Sequence, residues 1–221
     1  VEKHWRGNSV QVVFSRSQNF QTAESGDSIT IRKLPQVEYV RRDTQIWKNL
    51  PVWVSLESVA GLVRRDQPLF QTRQHVERID VAPRVSTAFH WKGFNVMPSF
   101  GLRGGYWGSS KDDDGRVVGK NIKRFARDLS IDFLPPSLAK VFEKSPKWMG
   151  GGKMKHVIEP RATFRYVDGV NDFKNIIRFD ETELLTNTKE VEISLTNRLY
   201  VKRNGVTNEL LSWQVWQRRY L

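Results

Sequence analysis

The chain has 221 residues, and its 36 Lys and Arg against 24 Asp and Glu give a net charge of +12 at pH 7. Its mean hydropathy of −0.54 is typical of a soluble basic protein, and a charge of this sign first indicates a nucleic-acid partner. No run approaches the ~18 apolar residues of a transmembrane helix, which excludes helical spanning. Transmembrane strands are not excluded, because alternation hides their apolar residues from averaged hydropathy.

The N-terminal third alternates apolar and polar residues, the period that predicts β-strands with two unlike faces. Weaker runs of the same kind lie at residues 29–34 and 37–46. The apolar positions that share a face in the clearer runs are Val10, Val12 and Phe14, followed by Val52, Val54, Leu56, Ala60 and Leu62.

The middle third predicts three more strands, at residues 79–91, 94–106 and 128–133, from the same alternation. It also contains one segment with helical spacing, at 136–144, where Leu138 is followed by Val141 and Phe142. A short helix is therefore expected there.

The C-terminal third alternates in the same way at residues 161–166, 191–202 and 209–220. In the first of these runs Arg161, Thr163 and Arg165 share one face, whereas Ala162, Phe164 and Tyr166 share the other. The whole chain contains about ten candidate strands. Several alternate for more than ten residues, whereas strands of soluble proteins usually have about 5–6 and a tilted strand crosses a bilayer in about 9–11.

The predicted connections are of two kinds. Lys92-Gly93 and the segment 202–206, with its Asn-Gly signal, predict tight turns, whereas 108–121, 145–155 and 168–188 are long and polar. Outer-membrane barrels have short turns at one rim and long loops at the other.

Aromatic residues near the ends of the alternating runs fit interfacial girdles. The alternative is that they belong to the core of a large β-sandwich. These residues are Trp47, Trp53, Trp91, Tyr106, Trp107, Trp213 and Trp216. Together these patterns predict an all-β protein, an antiparallel transmembrane β-barrel of which the chain forms a part.

No motif in the chain predicts catalysis or metal binding. Residues 112–115 lack the spacing and the closing Glu of a calcium loop, and 150–153 lack the P-loop pattern. The four histidines, His4, His75, His90 and His156, have no metal-ligand spacing. Asp180-Glu181 and Glu183 are interpreted as a charged loop rather than an acid–base pair. The chain is expected to be no enzyme, with no catalytic or metal residues and no cofactor.

Residues 155–205 carry a family resemblance. His156 and Glu159-Pro160 open one strand, Phe179-Asp180-Glu181 follow in the next connection, and Asn197-Arg198 lie in the following strand. In these elements the chain resembles LptD, the lipopolysaccharide-assembly family of the outer membrane, also called organic solvent tolerance protein. Residues 217–220 match the family's next strand only in part, and no sharp motif extends the resemblance upstream.

The resemblance implies the translocon of a Gram-negative outer membrane that receives lipopolysaccharide from the periplasm and inserts it into the outer leaflet. Its implied partners are lipopolysaccharide, an LptE-like plug lipoprotein, periplasmic lipopolysaccharide bridge proteins that act through an N-terminal jellyroll domain, and outer-membrane lipids, with no nucleic acid. Residues 1–221 are expected to form part of one barrel domain, without the jellyroll or the barrel-closing strands. Some members join jellyroll to barrel by disulfides, and any such bond would be made outside this chain.

The polar strand faces carry arginines that we expect to line a basic lumen, since guanidinium groups bind phosphate. In the alternative, these arginines pair with Asp80, Asp128, Asp132 and Glu192 on neighbouring strands and only stabilise the sheet. Two other functions stay open from the residues alone: a soluble basic β protein that binds nucleic acid, and a diffusion porin. The candidate lumen arginines are Arg84, Arg103, Arg161, Arg165 and Arg198.

Overall fold

The computed structural model describes residues 1–21, 28–68, 70–72, 75–146, 151–203 and 205–221. The chain forms two compact units. Unit 1 comprises Val1–Ser86, Ser99–Leu129 and Tyr166–Thr188, and unit 2 comprises Thr87–Pro98, Ser130–Arg165 and Lys189–Leu221. Among the described residues, no helix is long and apolar enough to cross a membrane.

The described residues are dominated by strands, and their one helical element is a 3-10 helix at Glu181–Leu184. Several strands are long, with 18 residues in β3 and 16 in each of β4, β13 and β14. The strands are β1 (Glu2–Trp5), β2 (Asn8–Phe20), β3 (Ser28–Gln45), β4 (Val52–Gln67), β5 (Phe70–Gln71), β6 (Val76–Thr87), β7 (Phe89–Trp91), β8 (Phe94–Trp107), β9 (Ser110–Lys111), β10 (Val117–Val118), β11 (Ile122–Leu134), β12 (Leu138–Phe142), β13 (Lys153–Asp168), β14 (Thr188–Arg203) and β15 (Val206–Tyr220).

The long strands pair in chain order, as β1-β2-β3-β4-β6-β8-β11-β13-β14-β15. The short strands β5, β7 and β12 add to β4, β8 and β13, and β9 pairs with β10 separately. The described registers are antiparallel, for example from Glu190↔Tyr220 to Arg203↔Val206 between β14 and β15. The prediction of an all-β, antiparallel architecture is confirmed. The long strands β2, β3, β4, β6, β8, β11, β13, β14 and β15 exceed the about 9–11 residues that a bilayer crossing needs.

The short helix predicted at 136–144 is wrong. Residues Leu138–Phe142 form β12, which pairs with β13 from Leu138↔Ile158 to Phe142↔Met154. The segment was assigned on the spacing of three apolar residues, and helix propensity is a weak prior that tertiary pairing overrides. Here the edge of β13 supplies the hydrogen bonds that a helix would have made internally.

Two other predicted features change in detail. The separate runs 29–34 and 37–46 belong, apart from Ile46, to one strand, β3, whose register against β4 shifts between Lys33 and Gln36. The tight turn at 202–206 and the connection 145–155 fall partly outside the described residues, at position 204 and at positions 147–150.

The strand faces of unit 1 have an unusual distribution of polarity. On β6, the side chains of Arg78 and Asp80 are buried, at 1% and 2% exposure, whereas the intervening Ile79 and Val81 are exposed at 48% and 38%. A soluble protein buries the apolar face of such a strand. The opposite arrangement, with buried charges and an exposed apolar face, is typical of a strand whose outer surface contacts lipid.

The strands of unit 2 also expose apolar side chains. Ile193 and Leu195 of β14 are exposed, whereas Ser194 between them is buried. On β15, Val215 and Trp216 are both exposed. The side chains of Ile193 and Leu195 are therefore available to an apolar surrounding, whereas Val201, further along β14, is buried.

One glycine permits a close approach between β3 and β4. A Cβ built on Gly61 would lie 2.5 Å from the carbonyl oxygen of Pro35 and 2.7 Å from Cα of Gln36, both backbone atoms. This contact occurs where the β3–β4 register shifts, so only a residue without a side chain fits beside the irregularity.

Gly61→Ala is expected to lower the free energy of unfolding of the full-length protein by about 1–3 kcal/mol, because backbone atoms must move to admit the methyl group. Urea unfolding in detergent micelles measures the change. Gly119→Ala is the matched control, since a Cβ there meets nothing within 4 Å. Equal unfolding midpoints for the two variants would contradict the packing argument.

Candidate functional site

The connection between β13 and β14, residues 169–187, packs against the polar strand faces of unit 1. Its apolar residues Ile176, Ile177 and Phe179 are buried together with Trp107 of β8. Val63 and Val76 complete this cluster. The connection is therefore held by a small apolar core rather than being a solvated loop.

The backbone of this connection is ordered by two carboxylates. Asp180 caps the 3-10 helix Glu181–Leu184, and its Oδ1 accepts a hydrogen bond from the backbone N–H of Thr182 at 3.1 Å. In return, Oε2 of Glu183 accepts the backbone N–H groups of Asp180 at 2.9 Å and of Phe179 at 3.1 Å. This reciprocal arrangement is a capping box, and it fixes both carboxylates relative to the backbone.

Arg78 of β6 joins the two carboxylates to the sheet. Its Nη1 donates to Oδ2 of Asp180 at 2.9 Å and to Oε1 of Glu183 at 3.1 Å. Lys33 of β3 also donates to Oδ2 of Asp180, at 3.0 Å. Because removing one member of a buried ion pair leaves the other charge uncompensated, each partner here is costly to delete.

Trp107 provides a further donor to the same cluster. Its Nε1–H donates to Oε1 of Glu183 at 3.1 Å. The guanidinium of Arg124 lies over its ring, 5.0 Å from the ring centroid, in a cation–π contact. A Cβ on Gly105 would lie 2.3 Å from Cη2 of Trp107. Any larger residue at position 105 would therefore clash with the indole. Trp107 was predicted as an interfacial aromatic, and that prediction is wrong: the side chain is fully buried. The buried carboxylate gives its N–H a partner, as a buried indole requires.

A second ion-pair group lies beside the first on the strands of unit 1. Nε of Arg103 donates to Asp80 at 2.9 Å, and Nη2 of Arg124 lies 3.8 Å from the same carboxylate. Nη2 of Arg124 also donates to the carbonyl oxygen of Thr182 at 2.9 Å. Four strands, β3, β6, β8 and β11, thus contact one turn of the connection through polar groups. We call Lys33, Arg78, Asp80, Arg103, Trp107, Arg124, Asp180 and Glu183 the polar core.

The two carboxylates of the connection differ in their pKa values. Burial alone would raise the pKa of Asp180, but the charge of Arg78, with hydrogen bonds from Lys33 and Thr182, holds it well below its usual range. For Glu183, burial is the largest effect and raises the pKa, against the attraction of Arg78. Asp180 therefore keeps its negative charge in the neutral range and is the fixed counter-ion of Arg78 and Lys33.

The sequence found part of this site. Phe179 and Asp180 belong to it, whereas Glu181 is exposed and makes none of the contacts above. Glu183 was missed as a functional residue because the acidic segment was interpreted as a charged loop. The Asp-x-x-Glu spacing of a capping box was the available signal. Nothing in the sequence indicated Arg78, which lies 105 positions from Glu183.

The other residues that carry the family resemblance lie in unit 2 and form two groups. A ring nitrogen of His156 lies 3.1 Å from Oδ1 of Asn197, and its imidazole stacks on Trp213 with centroids 5.8 Å apart. Arg198 instead contacts Glu159 at 3.1 Å and Glu209 at 3.2 Å. Pro160 follows Glu159 within β13 and has no backbone N–H to donate.

Acidic side chains lie close to the candidate lumen arginines Arg84, Arg103, Arg161 and Arg198. Arg84 contacts Asp128 at 2.7 Å, and Arg161 contacts Asp132 at 2.8 Å. Thr163 donates to the same Asp132 oxygen, so Arg161 and Thr163 share a strand face as predicted. Arg103 and Arg198 pair as described above, and Arg165 lies exposed on β13. Glu192 pairs with Arg218, whose Nη2 lies 2.6 Å from its Oε2.

Long antiparallel strands with an exposed apolar face and a polar face that carries buried ion pairs define the class of outer-membrane β-barrel proteins. The chain matches the family model of LptD, LPS transport system D, over residues 2–211. It belongs to the LptD family, a transport family of the outer membrane, as the resemblance predicted. Comparison with individual curated proteins gives no match.

Glu183→Gln is expected to release the connection 169–187 from the polar core. The two oxygens of Glu183 accept four N–H groups, so the amide nitrogen of Gln meets donors in either orientation. Loss of the charge from a buried pair costs about 3–5 kcal/mol. Trypsin cleavage after Arg178 in the folded full-length protein should therefore become faster.

Glu181→Gln is the matched control for that experiment, because Glu181 is exposed and lies two residues away on the same 3-10 helix. It should leave the cleavage rate at the level of the unmodified protein. Cleavage at equal rates in the two variants would show that Glu183 does not hold the connection.

Proposed function

We propose that this chain is part of the outer-membrane translocon that receives lipopolysaccharide from the periplasm and inserts it into the outer leaflet. The observation that carries the proposal is its membership of the LptD family over residues 2–211. The strands are long enough to cross a bilayer, and β6 and β14 expose alternate apolar residues. The nucleic-acid and porin alternatives have no comparable support.

In this proposal residues 1–221 belong to one barrel domain, and the jellyroll and the barrel-closing strands belong to other parts of the protein. An LptE-like plug lipoprotein and periplasmic lipopolysaccharide bridge proteins are the proposed partners. The surrounding lipids of the outer membrane contact the exposed apolar strand faces.

The polar strand faces line the passage for the charged head group. On β13 the side chain of Arg161 is 52% exposed although it pairs with Asp132, so its guanidinium remains accessible to a second anion. A phosphate approaching this face competes with the carboxylate for the same N–H donors, and guanidinium binds both groups in the same geometry. Weak, exposed pairs of this kind cost little to exchange, which suits transient contact with a passing head group.

The polar core has a different role in this proposal. Its ion pairs are buried, so exchange with a passing phosphate would leave charges uncompensated. It therefore fixes the connection 169–187 against the strands of unit 1. The exposed ion pairs contact the head group, and the buried ion pairs hold the connection 169–187 in place.

Charge reversal at Arg161 and Arg165 together, as Arg161→Glu and Arg165→Glu, is expected to lower lipopolysaccharide export severalfold, because the head group would meet negative charge on β13. Surface lipopolysaccharide is measured in cells that depend on the variant, and assembly is followed separately by heat-modifiable gel migration. Export at the unmodified rate with intact assembly would refute the proposed lumen role.

The matched control for that reversal is the charge exchange Arg161→Asp with Asp132→Arg. It moves the cation to the neighbouring strand but keeps both the ion pair and a guanidinium on the same face. Export should stay near the unmodified level. A loss as large as that of the double reversal would mean that side-chain placement on β13, and not positive charge, is what matters.

A further inference from the structure

The outer strand face of unit 1 carries a shallow groove of about 460 Å³, formed by β6, β8 and β11. Its floor is Gly104, which is paired with Val81 across the β6–β8 ladder. A Cβ on Gly104 would meet nothing within 4 Å, so open space lies above the strand at this point. The volume lies within the ~300–1,000 Å³ of ligand sites in general.

The walls of the groove are apolar and exposed. Ile79 and Val81 of β6 form one side, and Phe125 of β11, exposed at 61%, forms the other. Tyr106 pairs with Ile79 beside the floor. These residues lie on the face opposite to Arg78 and Asp80 of the polar core, because side chains alternate along a strand. The groove is therefore separate from the proposed passage for the head group.

The exposed cation Lys123 marks one end of the groove, whereas the side chain of Arg124 is buried in the polar core. Lys123 is the second residue of β11 and lines the groove, with Phe125 two positions further into the strand. No ion pair of Lys123 occurs within the part of the chain that the structure describes, whereas Arg127, further along the same face, pairs with Asp168 at 2.7 Å. The groove thus has an available positive charge at the strand end and apolar walls towards the strand centre.

This polarity matches a lipid with an anionic head group. A lysine at the membrane surface extends its amine towards the head groups while its stem stays on apolar surface. The long connections 108–121 and 169–187 lie at the same strand end of unit 1 as Lys123. In outer-membrane barrels, long loops lie at the extracellular side, so the lipid concerned belongs to the outer leaflet.

The geometry points to a binding site for one outer-leaflet phosphorylated glycolipid, the lipid anchor of lipopolysaccharide, with an acyl chain over Gly104 and a phosphate on the amine of Lys123. The inference rests on the proposed membrane placement, and it adds a site on the outer face that holds a resident lipid. A bound lipid here covers apolar surface that the strands leave exposed on the face opposite to the polar core.

The experiment uses the full-length protein in nanodiscs of zwitterionic phospholipid, with diphosphorylated lipid A as the probe and native mass spectrometry as the readout. Lys123→Gln should weaken lipid A binding about fivefold, the effect of about one lysine–anion contact at a membrane surface. Gly104→Leu should reduce binding by filling the groove. Lys120→Gln and Gly119→Leu are the controls, since a Cβ on Gly119 also meets nothing within 4 Å.

Unchanged lipid A binding in both Lys123→Gln and Gly104→Leu would overturn the inference. Equal displacement of the probe by phosphatidylglycerol would also overturn it, because the site would then be one for acidic lipids in general. Lys123→Gln keeps the test decisive if Gly104→Leu assembles poorly, since Lys123 is exposed. Loss of lipid binding with normal export separates this site from the proposed function, and impaired export at Arg161 and Arg165 tests that function independently.

Discussion

The structure of unit 1 depends on one buried carboxylate. Glu183 accepts hydrogen bonds from the guanidinium of Arg78, the indole of Trp107 and two backbone N–H groups of its own connection. A buried carboxylate without hydrogen-bond donors is strongly unfavourable, and the four donors satisfy both oxygens of Glu183. Because the donors come from β6, from β8 and from the connection itself, a single side chain joins the three.

This constraint explains why a strand such as β6 can carry charge on its buried face. Arg78 and Asp80 would be strongly unfavourable there without partners, and the connection 169–187 supplies the partners of Arg78. The apolar side chains Ile79 and Val81 then occupy the outer face, where they are exposed. Burial of polar groups on one face and exposure of apolar groups on the other is stable when the outer surrounding is lipid. The polar core and the lipid-facing surface are thus two consequences of one strand pattern.

The strands could be predicted from the sequence because alternation is a local property, and the long runs such as 191–202 were found directly. The segment 136–144 was assigned wrongly because its hydrogen bonds come from β13, a partner that local spacing does not reveal. The burial of Trp107 was missed for a related reason, since it depends on the absence of a side chain at Gly105 and on an acceptor 76 positions away. In the candidate site, the resemblance indicated Asp180, but the pairing of Arg78 with Glu183 is a long-range contact that no single segment encodes.

Hydrogen–deuterium exchange of the full-length protein in nanodiscs tests the central claim most directly. The backbone N–H groups of Phe179, Asp180 and Thr182 all donate to carboxylates of the same connection. If the connection is fixed by the polar core, these amides exchange as slowly as those of β6, and the protection is lost in Glu183→Gln. Exchange at the rate of an unstructured loop in the unmodified protein would contradict the account.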